Sequence, residues 1–252
     1  NDSKMLFIIG AGRSGTTFLA DLISSHPDLH RLPELRYLWM TGCQWRDHDF
    51  RGVSDATPKV KQRIRSYISK IASKNAKVIV EKTPSNCFRI GLINEVYPRA
   101  KYIHIVRDGR STALSSLKAQ YGAEAFNAKS RGEVDSAGQL KLFLVNRLNQ
   151  IRQKLSNRAI PADGLLPMLV IRFRDVMRRV MTNKPAIWGA KFPGMAQLYH
   201  QLKVHQLVAL QWRYSVDAAL SGFRCHIKSE NILTIEYGSL IRSPDKQLEL
   251  IY

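Results

Sequence analysis

Residues 7–19 are Phe7-Ile8-Ile9-Gly10-Ala11-Gly12-Arg13-Ser14-Gly15-Thr16-Thr17-Phe18-Leu19, and this stretch decides the fold. Its order predicts a buried strand, a glycine-rich turn and a helix that begins near Thr16. Glycines let the turn adopt tight or left-handed conformations, so that successive N–H groups and the positive end of the helix point at one spot. The stretch therefore predicts a phosphate-binding loop.

The loop matches only part of the nucleotide-triphosphate P-loop, which is written G-x-x-x-x-G-K-[ST]. The two glycines and Thr17 are present, but Thr16 stands where the lysine belongs. The cation of this loop is Arg13, before the second glycine. The loop alone leaves the identity of the ligand open.

A second strand and helix supply another candidate phosphate site. Residues 101–106 form an apolar run that predicts a buried strand, and the turn after it leads into a helix predicted over 111–120. Arg107 stands at the strand tip, and Ser115 lies about two helical turns from the helix start, so the two can converge on one phosphate. Two phosphate sites on one ligand indicate a bisphosphorylated nucleotide.

Together these motifs resemble those of the PAPS-dependent sulfotransferases, which use 3'-phosphoadenosine 5'-phosphosulfate (PAPS) as donor. The first loop is similar to the family's 5'-phosphosulfate-binding loop, and Arg107 with Ser115 matches its 3'-phosphate motif. Because cytosolic members usually carry lysine at the position of Arg13, the closer likeness is to tyrosylprotein, bacterial and carbohydrate sulfotransferases. His26-Pro27 and then Glu34 keep the order of a His-Pro pair and a catalytic glutamate in the tyrosylprotein branch.

The resemblance implies roles for the matching residues. Glu34 would be the general base that removes the acceptor proton, while Arg13 and Lys82 would hold the bridging oxygen and the sulfuryl group. Arg36 is a candidate contact to the acceptor or to the sulfuryl oxygens. PAPS is the implied co-substrate, and the scheme requires no metal. The residues implied in donor binding are Arg13, Ser14, Gly15, Thr16, Thr17, Arg107 and Ser115.

Several of these residues have structural alternatives. Arg107 can pair with Asp108 or a helix end, and an acidic residue after proline, such as Glu34, can be a solvated cap. Glu81 and Lys82 can form a structural ion pair. Each alternative predicts a contact that the structure can test.

The histidines and two aromatic segments also have structural interpretations. Cytosolic sulfotransferases use a histidine base, but His104, inside a predicted strand, and His26, before a proline, are interpreted as structural. His200 and His205 are five residues apart, and no His-Glu-x-x-His or Cys-x-x-Cys pattern occurs, so no metal site is predicted. Residues 188–194 and 211–213 resemble acceptor-side segments of bacterial sulfotransferases, with aromatic core packing as the alternative.

Apolar strands and helices alternate along the chain. Such alternation predicts an α/β, P-loop-like three-layer fold, in which a central parallel sheet is flanked by helices and ligands bind at the carboxyl ends of the strands. Residues 122–138, rich in Gly, Ala and Ser, predict a loop. The further predicted elements are a helix over 59–72, a strand over 78–80, a helix over 86–97, a long helix marked by Leu144, Leu148, Ile151 and Leu155, and a strand over 232–235.

The composition predicts a single domain over 1–252 that attracts anions, and the resemblance implies that this is a sulfotransferase domain. With 44% apolar residues, the chain can bury a large core. Its net charge of +19 attracts anionic ligands, nucleic acid included. Because Lys and Arg are scattered through amphipathic helices, without a tail, a finger or an aromatic-interleaved pattern, we expect no specific nucleic-acid partner.

The location of the protein is predicted from weaker signals. No apolar run has the length of a membrane span, and three widely spaced cysteines (Cys43, Cys87 and Cys225) give no disulfide framework, so we expect a cytoplasmic protein. Because the chain begins without methionine, removal of an N-terminal anchor and a secretory-pathway lumen form the alternative. The helix predicted after Ser243-Pro244-Asp245 runs to the last residue, so we also expect truncation there.

Two other classes of function remain open. A P-loop kinase or NTPase would use the same loop with Asp108 as a metal-holding acid, although the missing lysine and the adjacent Arg107 count against it. A non-catalytic polyanion-binding protein would use the basic surface alone. The acceptor also stays open among an acidic glycan, a protein tyrosine and a small molecule, and the oligomeric state is not predicted.

Overall fold

A five-stranded parallel sheet organises the part of the chain that the structure describes. The structure is a computed structural model and describes residues 4–121 and 189–252, with isolated positions between them. The strand order is β2-β3-β1-β4-β5, and all four neighbouring pairs run parallel. The strands are β1 (Met5–Ile9), β2 (Leu29–Arg31), β3 (Val78–Glu81), β4 (Lys101–Val106) and β5 (Ile232–Glu236).

Helices connect these strands. Those described before the gap are α1 (Thr16–Ile23), α2 (Pro58–Ile71), α3 (Ile90–Val96) and α4 (Gly109–Tyr121). After the gap come α5 (Met195–Gln201), α6 (Val204–His226), α7 (Tyr237–Arg242) and α8 (Pro244–Glu249). Short 3-10 turns occupy Val53–Asp55, Pro84–Phe88 and Ser229–Asn231.

The two faces of the sheet bury separate apolar clusters. Successive side chains of a strand point to opposite faces. Phe7 and Ile9 accordingly pack with residues of α2, α3 and α6, whereas Ile8 packs with residues of α1 and α7. Helices on both faces of a parallel sheet make this an α/β three-layer fold, which confirms the predicted fold class.

Helix α2 illustrates how the sequence sets these contacts. Val60, Ile64 and Ile68 recur at helical spacing and are all buried. Thr57 caps the helix, since its hydroxyl accepts the N–H of Val60 at 3.4 Å, and Pro58 occupies the first turn, where its missing N–H costs no hydrogen bond. The helix therefore lies with one apolar stripe on the sheet.

The predicted elements near the site lie where expected, with one difference. The helix predicted over 86–97 is interrupted, because a 3-10 turn at Pro84–Phe88 precedes the shorter helix α3. The strand β2 and the long helix α6 had not been predicted. The loop predicted over 122–138 and the helix marked by Leu144 to Leu155 lie outside the described residues.

None of the helices within the described ranges is both long and apolar enough to cross a membrane.

Candidate active site

The glycine-rich loop joins β1 to α1 in a compact turn. Gly15 has a φ of 96° and Arg13 a φ of 71°, both in the left-handed region that favours glycine. A Cβ on Gly15 would lie 2.3 Å from the ring of Tyr237, and one on Gly10 would lie 2.7 Å from Ile105. The loop is thus held against the ends of β4 and β5 by approaches that only glycine permits.

Ser14 shapes this loop from within. Its side chain is buried, and both its N–H and its hydroxyl bond the carbonyl of Ala11, at 3.1 and 2.6 Å. Both groups are thus used within the loop, and the expected contact between Ser14 and a phosphate stays a prediction. The N–H groups that follow, at the start of α1, belong to the first helical turn and have no intrahelical acceptor.

Lys82 connects the glycine-rich loop with the predicted base. Its Nζ donates to Thr17 Oγ1 at 3.0 Å and forms an ion pair with Glu34. The side chain of Lys82 is 1% exposed and that of Glu34 43% exposed. A buried ammonium group therefore lies between the loop and a carboxylate that solvent can reach.

The ends of β2 and β3 bring these groups together. Strand β2 lies beside β3, and the segment after β2 carries Glu34 past the carboxyl end of β3, where Lys82 follows. Glu81 precedes Lys82 and has other partners, since its carboxylate accepts from Thr83 and Trp39. The sequence alternative of a Glu81–Lys82 ion pair is therefore not what is observed, because Lys82 pairs with Glu34.

The second predicted motif contacts the first through Arg13. Nε of Arg13 donates to Ser115 Oγ at 3.1 Å, and Nη1 of Arg107 donates to the backbone carbonyl of Arg13 at 3.0 Å. Ser115 lies on α4, and Arg107 directly follows β4. The two motifs are thus close enough for one small ligand to contact both.

Tyr237 lies in the candidate site and was not predicted from the sequence. The guanidinium carbon of Arg107 lies 4.3 Å from the centre of the Tyr237 ring, a distance typical of a cation–π contact. The same ring packs on Gly15. One aromatic side chain therefore supports both the glycine-rich loop and Arg107, and its only sequence signal is a tyrosine directly after β5.

Asp108 caps helix α4. Its Oδ1 accepts the N–H of Ser111 at 2.8 Å, and its carbonyl accepts the N–H and the hydroxyl of Thr112, at 3.0 and 2.8 Å. The hydrogen bond from the Ser111 backbone holds the pKa of Asp108 below its usual value. Asp108 is accordingly a helix cap, as its position before a helix favours.

Arg36 belongs to a buried cluster around Asp49. Its Nε and Nη2 each donate to Asp49 at 2.8 Å, and Arg89 donates to the same carboxylate at 3.0 Å. The N–H of Lys191 also donates to Asp49, at 2.7 Å. Although burial alone would raise the pKa of Asp49, the guanidinium groups of Arg36 and Arg89 hold it below its usual value. This cluster holds the side chain of Arg36, which lies two residues after Glu34 in the sequence.

The histidines interpreted as structural have structural partners. His104 is buried in β4 with its ring 5.2 Å from that of Phe223, and burial lowers its pKa. His26 accepts the N–H of Asp28 on Nδ1 at 3.2 Å and lies 5.1 Å from the ring of Tyr252. Neither histidine contacts Lys82 or Glu34 in the described contacts.

The segments compared with an acceptor side pack against neighbouring elements. The ring of Trp212 lies against Gly109 at the start of α4, and Gln211 donates to the carbonyl of Ala190. Phe192 stacks on Tyr214 with ring centres 4.3 Å apart. Trp188 lies outside the described residues. Their packing fits the structural alternative, and their relation to an acceptor stays a prediction.

No cluster of three or more His, Cys, Asp or Glu side chains suited to a metal ion occurs within 4–121 and 189–252. That no metal is required stays a prediction from the sequence.

Sequence comparisons place this arrangement among known proteins. A model of the sulfotransferase family matches residues 6–164, more than half of the chain. The chain is 26% identical over 136 residues to a putative protein-tyrosine sulfotransferase of Caenorhabditis briggsae, covering 50% of this chain and 48% of that protein. It is 25% identical over 142 residues to protein-tyrosine sulfotransferase 1 of Homo sapiens, covering 51% and 38%. The chain thus spans about half, or less, of the length of these curated relatives.

A solved structure of a sulfotransferase from Alicyclobacillus acidocaldarius is also similar, with 16% identity and a TM-score of 0.47 over 96% of this chain and 76% of that chain. The family match covers the phosphate loop, Glu34, Lys82 and the pair Arg107 and Ser115. On the strength of that match, the chain belongs to the sulfotransferase family.

Proposed function

We propose that this chain transfers the sulfuryl group of PAPS to a hydroxyl group of an acceptor, with Glu34 as the general base. The observation that carries the proposal is the position of Lys82, whose Nζ bonds Thr17 of the phosphate loop and pairs with Glu34. A transfer of this kind needs a cation at the donor and a base at the acceptor, side by side. Lys82 supplies the cation and the contact between the two.

The residues at this edge of the sheet support PAPS as the proposed donor. The N–H groups of the first turn of α1 and the hydroxyls of Thr16 and Thr17 would hold the 5'-phosphate. Arg107 and Ser115 would hold the 3'-phosphate, and Arg13 reaches both motifs. When bound, PAPS supplies a sulfuryl group on a phosphate leaving group. The net charge of +19 attracts such a polyanion.

Glu34 accepts the proton of the acceptor hydroxyl as the acceptor oxygen bonds to sulfur. The bond between sulfur and the phosphate oxygen breaks in the same displacement, and adenosine 3',5'-bisphosphate leaves with the electron pair of that bond. Lys82 and Arg13 stabilise the charge that develops on the leaving oxygen. The exposure of Glu34, at 43% of its side chain, leaves its carboxylate open to an acceptor.

The first acceptor to test is a tyrosine-containing peptide. The relatives named above are protein-tyrosine sulfotransferases by name, which favours this acceptor for the present chain. An acidic glycan and a small hydroxyl compound are the other classes to include. The basic balance of the chain is compatible with acidic members of each class.

The test is sulfuryl transfer from radiolabelled PAPS to these acceptors by the wild type and by Glu34→Ala and Glu34→Gln. We expect turnover to fall about 10²- to 10⁴-fold in both variants, because the base is lost, while adenosine 3',5'-bisphosphate still binds. Glu230→Ala, an exposed glutamate near β5, is the matched control and should keep full activity. Unchanged turnover in both Glu34 variants would refute the assignment of the base.

The rival functions give different results in the same assays. A P-loop kinase or NTPase would hydrolyse ATP with magnesium, which the proposed sulfotransferase would not. A non-catalytic polyanion-binding protein would bind heparin equally well with and without Glu34 and would transfer no label. Either result without sulfuryl transfer would overturn the proposal.

A further inference from the structure

A chain of buried hydrogen bonds leads from Glu81 in β3 to the backbone beside Glu34. We propose that Thr83, held by Glu81, is a positioning residue that fixes the segment carrying Glu34 for proton removal. This inference rests on the proposed function. It concerns Thr83 and Glu81, to which the sequence analysis assigns no role in the reaction.

The carboxylate of Glu81 is the fixed end of the chain. Glu81 is fully buried, and its Oε1 accepts from the hydroxyl of Thr83 at 2.6 Å and from the indole N–H of Trp39 at 3.2 Å. Its Oε2 accepts from the side-chain amide of Asn86. A buried carboxylate with three donors from three different residues has a defined orientation.

The hydroxyl of Thr83 has a defined direction for the same reason. A hydroxyl has one proton to donate, and Thr83 donates it to the carboxylate of Glu81. The oxygen therefore faces its other neighbour as an acceptor, and it accepts the N–H of Leu35 at 2.9 Å. Leu35 is fully buried, so loss of this acceptor would leave its N–H without a partner in the interior.

The N–H of Leu35 is part of the peptide unit that begins at Glu34. Because a peptide unit is planar, fixing this N–H also fixes the carbonyl and the Cα of Glu34. The Glu34 side chain itself is 43% exposed, so packing alone does not hold it. Two residues at the end of β3 hold Glu34 instead. Lys82 pairs with its carboxylate, and Thr83 accepts the N–H of the peptide unit that joins Glu34 to Leu35.

Charge strengthens this arrangement. Burial raises the pKa of Glu81 to about 7, while the hydrogen bonds from Thr83 and Trp39 act against burial and favour the carboxylate. Arg89 and Lys82 act in the same direction as those bonds. Above this pKa Glu81 is ionised and only accepts hydrogen bonds, which keeps the Thr83 proton on the side of Glu81.

The test compares Thr83→Val with Thr83→Ser in the sulfuryl-transfer assay. Valine keeps the shape and removes the hydroxyl, whereas serine keeps the hydroxyl. We expect Thr83→Val to lower kcat about 10- to 100-fold with little change in the affinity for adenosine 3',5'-bisphosphate, because Glu34 is misplaced while the donor site is kept. Thr83→Ser should restore most of kcat.

A double-mutant cycle separates positioning from general destabilisation. If Thr83 acts through Glu34, Thr83→Val should change turnover less than about twofold in a Glu34→Ala background. A loss as large as in the wild type would overturn the inference, as would a wild-type kcat in Thr83→Val alone. If Thr83→Val does not fold, Thr83→Ala takes its place in the same cycle and is judged by the same outcomes.

Glu81→Gln and Glu81→Leu test the other end of the chain. The Asn86 side-chain amide group donates to Glu81, whereas its Oδ1 is buried without a hydrogen-bond partner among the described residues. When the Asn86 amide turns over, its Oδ1 faces residue 81 and can accept from the amide of glutamine in Glu81→Gln. Glutamine should therefore keep kcat within about threefold, and leucine should reproduce the Thr83→Val loss. Equal activity in both variants would overturn the role of Glu81. A wild-type protein without sulfuryl transfer would instead refute the proposed function.

Discussion

Replacing Arg107 by alanine tests the placement of the donor most directly. In the proposed complex the Arg107 guanidinium binds the 3'-phosphate, which PAPS and adenosine 3',5'-bisphosphate carry and AMP lacks. A charge-assisted hydrogen bond contributes about 1.5–3 kcal/mol, and every 1.4 kcal/mol is a factor of about ten. We therefore expect Arg107→Ala to raise the Kd for adenosine 3',5'-bisphosphate about 10- to 150-fold.

The same substitution should affect AMP far less. Arg107 also donates to the carbonyl of Arg13 at 3.0 Å, so its removal loosens one contact of the phosphate loop. That contact is shared by both nucleotides, and a neutral hydrogen bond contributes only about 0.5–1.5 kcal/mol. The informative quantity is therefore the ratio of the Kd for AMP to the Kd for adenosine 3',5'-bisphosphate. The loss of the contact with Arg13 affects both Kd values and cancels in this ratio.

Isothermal titration calorimetry of the wild type and of Arg107→Ala with both nucleotides measures this ratio. Arg110→Ala is the matched control, because Arg110 is exposed in the first turn of the same helix and should leave the ratio unchanged. Equal weakening of both nucleotides in Arg107→Ala would place the 3'-phosphate elsewhere. Salt should be held constant across the series, since exposed charge contacts are screened.

Two further predictions concern Tyr237 and Glu81. The Tyr237 ring packs on Gly15 and lies 4.3 Å from the Arg107 guanidinium. Tyr237→Phe should therefore keep the Kd for adenosine 3',5'-bisphosphate, whereas Tyr237→Leu should raise this Kd about 2- to 30-fold, as measured by calorimetry. Equal Kd values for the two variants would contradict this prediction. Burial raises the pKa of Glu81 from 4.5 to about 7, so between these values the folded protein keeps a proton that the unfolded chain has released. The free energy of unfolding should then fall by up to about 3 kcal/mol as pH rises through this window, and Glu81→Gln should remove the fall. Urea unfolding at about pH 5 and about pH 8 measures the change in this free energy. The same change with pH in Glu81→Gln as in the wild type would refute burial of Glu81 as the cause.

The elements around the phosphate loop could be predicted because their signals are local. An apolar run, a glycine-rich turn and a capped helix follow one another along the chain, and β1 with α1 and β4 with α4 lie where the sequence indicated. Strand β2 has no such signal, because it has only three residues, Leu29–Arg31, all of intermediate burial. Its existence depends on pairing with β3, which is a tertiary contact.

The contacts within the site needed more than local sequence. Glu34 and Lys82 are 48 residues apart, and only the neighbouring positions of β2 and β3 bring them together. Their selection came from the resemblance to a family. The Asp49 cluster and Tyr237 were missed, since neither an aspartate in an irregular segment nor one tyrosine after a strand differs from many other such residues in the sequence.

The position of Lys82 has a consequence for how charge moves in the proposed reaction. Its Nζ has two described partners, the Thr17 hydroxyl and the Glu34 carboxylate. Once Glu34 takes the acceptor proton, its carboxyl group is neutral and attracts the ammonium group less. The positive charge of Lys82 is then available to the leaving phosphate oxygen at the moment when negative charge grows there. Removal of the acceptor proton and stabilisation of the leaving group are thereby coupled through one buried side chain, which gives a physical reason for a lysine at this strand end.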